Sequence, residues 1–267
     1  MSTTSNRSGI SDLQLESKVG LGVRHISEDI LARSDGGQLP PISKFASDLH
    51  LGTGTIQSAF SYLRDVGACE YVSRGHLGTT LLQRDVAKLW MLARDRSVDG
   101  LLPMPYSRVY EGLSTGVREV FRRSKLGVAF SHSNGSRSRI EGLVRGDADF
   151  AIASQLSYDL AQEEGLAVAL GVDVGRGSFV REHVVLSRPG EPSVPSPGMT
   201  VGVDPASLDQ PFIMSLLCGE TKVKFSEVRY FDFEDRLIRG DVILIESSPL
   251  QTMRSISPRI SRSSKSK

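Results

Sequence analysis

The sequence predicts an α/β protein in two parts, a small helical domain followed by a longer domain of alternating strands and helices. Residues 39–82 contain two short amphipathic helical segments and then two short strands around a glycine turn. From Gly100 onward, apolar runs alternate with helical runs, as expected for parallel strands joined by crossover helices. The total length of 267 residues is enough for two domains of ordinary size.

The first part has the layout of a helix-turn-helix with a hairpin. Its first helix has apolar residues at helical spacing and Ser43 as a candidate N-cap. Its second helix is placed to end at Gly67, and strands over 69–74 and 79–82 flank a turn. Helix, turn, helix and hairpin in this order predict a winged helix-turn-helix.

The exposed face of the second helix and the hairpin turn carry side chains that suit nucleic acid. Short hydroxyl and amide groups reach base edges and phosphates, and basic groups on a wing reach the backbone or the minor groove. The candidate DNA-binding residues are Thr53, Thr55, Gln57, Ser58, Arg74, His76 and Thr79. The predicted partner is a double-stranded operator. The alternative interpretation is a small helical packing unit that does not contact DNA.

The totals exclude several other classes of protein. A net charge of only +1 means that any DNA contact relies on local basic patches. Cys69 and Cys218 form no CxxC pair, and no two histidines have metal-ligand spacing, so we expect no metal, no cofactor and a reducing cytoplasm. No leader-like or membrane-spanning stretch is present and no catalytic motif is found, so neither a membrane protein nor an enzyme is expected.

Composition and pattern divide the chain into segments of different character. The expected segments are a disordered start over 1–11, the winged helix over 12–82, a linker over 83–99, a ligand domain over 100–246 and a basic, Ser-rich, disordered tail over 247–267. Within the ligand domain, a first lobe is expected over about 100–185 and a second over about 186–246. A unit of helix, Gly-Asp and apolar strand occurs in each lobe, at Gly146-Asp147 and at Gly240-Asp241. Two α/β lobes whose strands end at one cleft form a ligand clamp.

The alternation within the ligand domain predicts a particular series of elements. The predicted strands are Leu101–Pro105, Leu126–Ser131, Asp149–Ser154, Leu166–Leu170, Glu182–Ser187, Thr200–Val203, Glu227–Phe231 and Val242–Glu246. The predicted helices are Tyr106–Arg122, Ser136–Arg145, Leu208–Leu217 and Asp232–Arg239.

Polar residues follow several of these strands at the edge where parallel strands end. Amides at a helix start attract anions, and hydroxyls and a flexible glycine backbone extend such a cradle. The candidate ligand-binding residues are Tyr106, Ser107, Arg108, Ser133, Asn134, Gly135, Ser154, Gln155 and Asp204. The alternatives are ordinary helix caps and surface loops, with Asp204 as a cap before Pro205. The expected effector is a small anionic or polyhydroxylated molecule.

The N-terminal part resembles the GntR-type winged helix over about residues 20–82. The residues that carry the resemblance are Leu39-Pro40, Phe45-Ala46, Leu49, Thr55-Ile56, Ala59, Leu63, Gly67, Gly75, Gly78 and Thr79. The family often has phosphate-gripping arginines where this chain has Thr53 and Gln57. The resemblance therefore implies a DNA-binding domain with altered strength or specificity.

Most of residues 20–245 resembles the YhfZ-type transcriptional regulators. The stretches that carry this resemblance are 104–113, Gly135 with Arg139, Glu182-His183 and 236–242. Such regulators join a GntR-like winged helix to a type II periplasmic-binding-like ligand domain. The resemblance implies a bacterial regulator that binds a small effector, and a homodimer is expected. The alternative is a small-molecule-binding protein or enzyme on the same two-lobed fold, with the winged helix used for protein contacts.

The C-terminal end departs from that family pattern. A type II ligand domain returns to its first lobe, whereas here lobe-like sequence stops near Glu246. The following residues are basic, rich in serine and poor in apolar periodicity, so disorder is expected. A chain shortened in this way is expected to leave an apolar face and a sheet edge of the first lobe uncovered, and to be marginally stable.

Overall fold

The computed structural model describes residues 17–75, 78–105, 108–178, 182–187, 194–240, 244–248 and 261–263. The chain forms two compact units. The N-terminal unit comprises Met1–Ser97 with Phe121–Gly127, and the α/β unit comprises Val98–Val120 with Val128–Lys267.

The N-terminal unit is a winged helix-turn-helix, as the sequence predicts. Its elements are α1 (Lys18–Leu31), β1 (Gln38–Leu39), α2 (Ile42–Leu49), α3 (Thr53–Asp65), β2 (Cys69–Ser73), β3 (Thr79–Arg84) and α4 (Val86–Arg94). The three strands form an antiparallel sheet in the order β1-β3-β2. The N-cap of α2 is Pro41 and not Ser43, because the extended backbone turns into the helix two residues earlier than the hydroxyl suggests.

One apolar core holds the N-terminal unit together. Ile26, Ile56, Leu63 and Leu81 are each 0% exposed, and they come from two helices and a strand. The Phe60 ring meets the rings of Phe45 and Tyr71 edge-on, at centroid distances of 5.6 and 5.4 Å. Burial of this much apolar surface fixes the orientation of α3.

Most of the segment predicted as a linker, 83–99, is instead part of this unit, and its last two residues begin β4 of the α/β unit. Leu89 and Leu92 on α4 are buried in the core, and Asp85 caps the helix by accepting from the Lys88 N–H. The Lys88 ammonium donates to the carbonyls at the end of α3, at 2.8 Å from Val66. A composition-based prediction missed this because α4 is amphipathic for only two turns.

The α/β unit contains two parallel sheets and one antiparallel sheet. Its elements are β4 (Val98–Leu102), α5 (Arg108–Arg123), β5 (Val128–His132), α6 (Ser136–Arg145), β6 (Phe150–Ala151), α7 (Gln155–Glu163), β7 (Glu182–Ser187), β8 (Thr200–Val203), α8 (Asp209–Cys218), β9 (Lys224–Glu227), a 3-10 turn (Tyr230–Asp232), α9 (Phe233–Arg239), β10 (Leu244–Ser248) and β11 (Ser261–Ser263). The sheet orders are β5-β4-β6, β8-β9 and β10-β7-β11.

The parallel pairing confirms the α/β class. We call β4–β6 with α5–α7 the first lobe, and β8, β9, α8 and α9 the second lobe. In each lobe the parallel strands end on one edge, where the following residues lead into a helix or turn. In the part of the chain that the structure describes, β5 and β6 have no further strand on their outer sides.

Two predicted strands inside the α/β unit are wrong, and one helix was missed. The strand predicted over Glu227–Phe231 is instead β9, which ends at Glu227, and the 3-10 turn Tyr230–Asp232 follows it. Residues 155–163 form α7, a helix that the sequence analysis did not predict. Ser154 caps this helix, since its side chain accepts from a backbone N–H of the first turn. Leu166–Leu170 forms no strand. Leu166 and Val168 are half-buried and pack against Ile140 and Ala161, so their apolar spacing reflects contact with helices and not a ladder.

The expected disorder of residues 247–267 is also wrong in part. β10 extends to Ser248, and Ser261–Ser263 pairs antiparallel with β7, with Arg262 opposite Leu186. Backbone hydrogen bonding to an open strand edge does not require apolar side chains, so amino-acid composition does not predict this pairing. The remainder of that tail and the predicted disordered start, 1–11, lie outside the described residues.

Candidate functional sites

The first candidate site is the outer face of α3. Burial of Ile56, Ala59, Phe60 and Leu63 turns the opposite face outward, where Thr53, Gln57 and Ser58 are exposed and Thr55 is half-buried. Gly52 at the N-cap has no side chain, so no side-chain cap occupies the amides of the first turn. Such amides are suited to a phosphate.

The polar groups on α3 are not equally available to DNA. The Ser58 hydroxyl donates to the Gly54 carbonyl at 3.0 Å, which commits its proton to the helix backbone. Gln57 and Ser58 line a groove of about 440 Å³ with Ser61, Tyr62 and Asp65. The exposed amide of Gln57 carries a donor and an acceptor on separate atoms, so it can form the paired hydrogen bonds that a base edge offers.

The wing is a tight hairpin turn. Gly75 and Gly78 have φ values of 58° and 84°, which side-chain-bearing residues rarely adopt, and the Arg74 N–H donates to the Gly78 carbonyl at 2.8 Å. Arg74 is exposed, and its guanidinium has no hydrogen-bond or ion-pair partner among the described residues. Thr79 turns back to Ser73, with 3.4 Å between the hydroxyls. His76 lies outside the described residues.

One basic residue near this surface was missed by the sequence reading. Arg64, exposed on the last turn of α3, lies over the Tyr71 ring with its guanidinium 5.6 Å from the centroid. This stacking holds the charge beside β2. Its position along α3 does not predict the contact with Tyr71, because that contact depends on where the hairpin packs against the helix.

The second candidate site is the start of α6, where the sequence places Ser133, Asn134 and Gly135. A turn of the second lobe fills this helix start. The Ala206 carbonyl accepts from the N–H groups of Arg137 at 2.9 Å and Ser138 at 3.4 Å. Gly135 has φ 71°, and a Cβ there would collide with the Ala206 backbone.

Two further contacts join the lobes at this point. The Ser136 hydroxyl accepts from the Leu208 N–H at 3.1 Å, and the Ser154 hydroxyl donates to an Asp209 carboxylate oxygen at 3.0 Å. We call this set of contacts, from Gly135–Ser138 and Ser154 to Ala206–Asp209, the lobe lock. The anion cradle expected at α6 is thus occupied by the protein itself.

The other predicted ligand residues fall at separate places. Tyr106 and Ser107 lie outside the described residues, and Arg108 is exposed at the first position of α5. Gln155 is exposed and donates to Asp159 on its own helix at 2.8 Å. In the described part of this set, the exposed side chains of Arg108 and Gln155 form no hydrogen bond with Ser154.

Asp204 is buried at the end of β8 and has partners within its own turn. Its carboxylate accepts from the Ala206 N–H at 2.9 Å and from the Tyr230 backbone. Burial raises the pKa of the Asp204 carboxyl above its ordinary value, and the two backbone N–H groups hold that rise back. Asp204 therefore shapes the turn that carries Ala206.

Arg139 is a candidate that the sequence-predicted site omitted. It is 7% exposed, and its guanidinium donates to the carbonyls of Ser133 and Ile152, both at 2.8 Å, just beyond the ends of β5 and β6. Burial lowers the pKa of Arg139 to about 10, which still leaves it charged at neutral pH. Within the described ranges it forms no ion pair. The sequence offered one indication of this role, because Arg139 lies one helical turn after Gly135, a residue already predicted to bind the ligand.

The second lobe has a cavity of about 540 Å³ where β8 and β9 end. Its lining residues are Pro205, Glu227, Val228, Arg229, Asp232, Asp235, Arg236 and Arg239. We call it the β9–α9 pocket. None of these lining residues is among the predicted ligand-binding residues. Pro205 is adjacent to one of them, Asp204.

Two chemical features are absent from the described part of the chain. It contains no group of three or more His, Cys, Asp or Glu residues placed to hold a metal ion. None of its helices is long and apolar enough to cross a membrane.

The chain joins a winged helix-turn-helix to an α/β domain, an arrangement typical of DNA-binding regulators with a second domain. The model of a helix-turn-helix domain matches residues 34–81. The model of the YhfZ C-terminal domain matches residues 85–244, and the chain therefore belongs to the YhfZ family. Together these matches indicate a DNA-binding regulatory protein.

Known relatives and solved structures are similar to the same regions. The uncharacterized protein YhfZ of Escherichia coli (strain K12) is 28% identical over 226 residues, which is 84% of this chain and 73% of that protein. A crystal structure of YhfZ from Shigella flexneri has 25% identity and a TM-score of 0.48, over 62% of this chain and 69% of that one. A periplasmic substrate-binding protein of an ABC transporter from Coxiella burnetii has 17% identity and a TM-score of 0.40, over 57% and 71%.

Proposed function

We propose that the protein is a transcription regulator that binds an operator through α3 and the wing, and that its α/β unit senses a small polar or anionic effector. The observation that carries the proposal is the exposed polar face of α3 together with Arg74 of the wing, whose guanidinium has no partner in the part of the chain that the structure describes. A homodimer would place two such units on a two-fold symmetric operator.

The DNA half of the proposal assigns two kinds of contact. Arg74 supplies charge to a phosphate, a contact that adds affinity on any sequence and is weakened by salt. Gln57 supplies an amide that pairs with an adenine edge in the major groove, a contact that depends on sequence. Thr53 and Thr55, at the start of α3, position the helix against the backbone.

The effector half rests on charge in the α/β unit. A buried guanidinium without a carboxylate partner is costly unless it serves a bound group, and perturbed groups of this kind concentrate at functional sites. Arg139 lies just beyond the ends of β5 and β6, the edge at which open α/β sheets bind ligands. The charge of Arg139 contributes to a positive field in the α/β unit that favours an effector with an anionic group.

Sensing requires that effector and operator affect each other's affinity. The coupling free energy in such regulators is typically about 1–3 kcal/mol, or roughly 5- to 150-fold in affinity. The lobe lock is an element that an effector can open or tighten, because a few hydrogen bonds and one small apolar cluster, Leu208 with Ile140 and Ala161, join its two sides in the described part of the chain.

Fluorescence anisotropy with duplex fragments from the protein's own gene neighbourhood tests the DNA half. Arg74→Ala should weaken binding to every fragment and reduce the slope of log K against log salt by about 1. Gln57→Ala should relax preference at one base pair, at a cost of about 1–3 kcal/mol. Arg145→Ala is the control, since Arg145 lies in the α/β unit and is paired with Asp147. Parent-like binding by both variants would remove the assignment of α3 and the wing.

Mass spectrometry of small molecules released from the denatured, purified protein tests the effector half. The expected result is a co-purifying polar or anionic metabolite that changes operator affinity when added back. A released metabolite that leaves operator affinity unchanged at saturation contradicts sensing.

A further inference from the structure

The β9–α9 pocket lies where a ligand site is expected in an α/β fold. β8 and β9 are parallel, and their carboxyl ends lead directly into Pro205 and into Val228-Arg229, which line the pocket. Its volume of about 540 Å³ is within the range of small-molecule sites. The helix start in the first lobe is closed by Ala206, whereas this pocket is open.

Four of the six charged residues that line the pocket are sorted along α9 and its N-cap, Asp232. Asp232, Asp235, Arg236 and Arg239 have the spacing i, i+3, i+4 and i+7, which places them on one face of the helix. The carboxylates lie at its beginning and the guanidinium groups at its end. The axial rise from the first to the last is about 10 Å.

Three of these four charged groups, all except Arg236, are available to a ligand. Among the residues that the structure describes, neither Arg229 nor Arg239 forms an ion pair, and neither do Asp232 and Asp235. Arg236 is half-buried and reaches the Ser226 hydroxyl at 3.3 Å, so part of the wall is removed from solvent. Opposite charges that line one cavity without neutralising each other fit a molecule that carries both signs.

We propose that the β9–α9 pocket binds a small zwitterion, whose anionic end contacts Arg236 and Arg239 and whose cationic end contacts Asp232 and Asp235. This site deepens the proposed function, on which it rests for its role as the effector site. A simple anion would meet the carboxylates, and a simple cation would meet the guanidinium groups. A ligand with its two charges several ångströms apart satisfies both ends.

The pocket is connected to the lobe lock by a short path. Pro205 lines the pocket, and the next residue supplies the carbonyl that holds the start of α6. On the other wall, the Tyr230 backbone donates to Asp204, which fixes the same turn. A ligand that presses on this turn changes the hydrogen bonds between the two lobes.

Saturation-transfer NMR and calorimetry on the full chain test the site with three probes of equal length. 6-Aminohexanoate carries both charges, hexanoate only the negative one and hexylamine only the positive one. We expect 6-aminohexanoate to bind with a dissociation constant on the order of 1 mM, and the other two to bind at least about 5-fold more weakly. Equal binding by hexanoate overturns the proposal in favour of an anion site, and absence of binding at about 20 mM overturns it outright.

Variants locate the bound probe. Arg239→Gln and Asp235→Asn should each weaken 6-aminohexanoate binding at least about 3-fold and reduce the difference between the probes. Arg145→Gln, a surface arginine of the first lobe, should leave binding unchanged. Unchanged binding by both pocket variants would place the probe elsewhere and remove the proposal. Operator binding is measured separately, so loss of the DNA half leaves the pocket standing, and loss of probe binding leaves the DNA half standing.

Discussion

The N-terminal unit and the α/β unit are held together in different ways. The N-terminal unit has one continuous apolar core, in which Ile26, Ile56 and Leu63 have no exposed surface. Among its described residues the α/β unit has small separate clusters, such as Ile140 with Ala161 and Leu208, and its longest helix, α5, buries no residue. Its lobes are joined by the hydrogen bonds of the lobe lock and by the packing of Leu208 against Ile140 and Ala161.

In the proposed function, this difference gives a rigid DNA-binding unit and an adjustable effector-binding unit. Apolar burial is non-directional and cumulative, so a continuous core resists local opening. A few hydrogen bonds between segments, each worth about 0.5–1.5 kcal/mol net, can be exchanged when a ligand offers alternatives. Substitutions should therefore act on the two units through different physical terms.

The largest effect is expected in the N-terminal core. Ile56→Ala removes a fully buried side chain and should lower the free energy of unfolding by about 2–5 kcal/mol, because it leaves a cavity beneath α3. Urea denaturation measures the loss, and operator affinity should fall with it. Val144→Ala, at an exposed apolar position on α6, should change stability by less than about 0.5 kcal/mol. Similar costs for the two variants would show that the core does not dominate.

The next largest effect is expected at the lobe lock. Gly135→Ala adds a methyl group that collides with the Ala206 backbone, in a left-handed region that favours glycine, and should cost about 2–4 kcal/mol. Gly146→Ala is the matched control, since it has φ 81° and nothing near its Cβ position, and should cost only about 1 kcal/mol. Thermal or urea unfolding of the α/β unit measures both. Equal costs would mean that the turn of Ala206 moves aside freely.

A smaller effect distinguishes two helix caps, one in each unit. Ser17 caps α1 and Ser154 caps α7, each accepting a backbone N–H at 3.0 Å. Ser17→Ala should cost about 1 kcal/mol. Ser154→Ala should cost roughly 1 kcal/mol more, because it also removes the hydroxyl donor to Oδ2 of Asp209, while Ser207 still donates to Oδ1. Denaturation of both variants against the parent gives the comparison, and a smaller loss for Ser154→Ala would argue against the lock.

The smallest effect is expected from pH. Arg137 forms a two-point ion pair with Glu164, at 2.7 Å for each contact, and a longer one with Glu141. The hydrogen bonds from Arg137 lower the pKa of Glu164 below its ordinary value. A lowered carboxyl pKa contributes stability above the unfolded-state pKa, and this contribution is lost as the pH falls through the folded-state value.

The pair is partly exposed, so solvent screening limits its contribution to less than about 1 kcal/mol. The stability difference between the parent and Arg137→Gln should therefore be small at about pH 6 and should vanish near about pH 3. Urea denaturation at the two pH values measures it. A difference that grows on acidification would contradict the assignment to Glu164.

The sequence by itself determined the elements that depend on neighbours along the chain. The winged helix follows from apolar spacing and from the glycine turn of the wing. Ser136–Arg145, Glu182–Ser187 and Thr200–Val203 have the bounds that the sequence predicted. The period of apolar residues is a local signal, and it reports whether a segment is a helix or a strand before the fold is known.

Only the tertiary structure decided what the strand ends do. Leu208 and Ser136, which meet in the lobe lock, are 72 residues apart. The sequence marks a helix start as able to hold an anion, but it does not show that a carbonyl of the other lobe already occupies the place. The burial of Arg139 and the alignment of Pro205 with α9 have the same origin. They depend on how the lobes pack, and no local sequence pattern encodes that packing. Hydrogen-bonding groups that are distant along the chain become partners only when the fold brings them together.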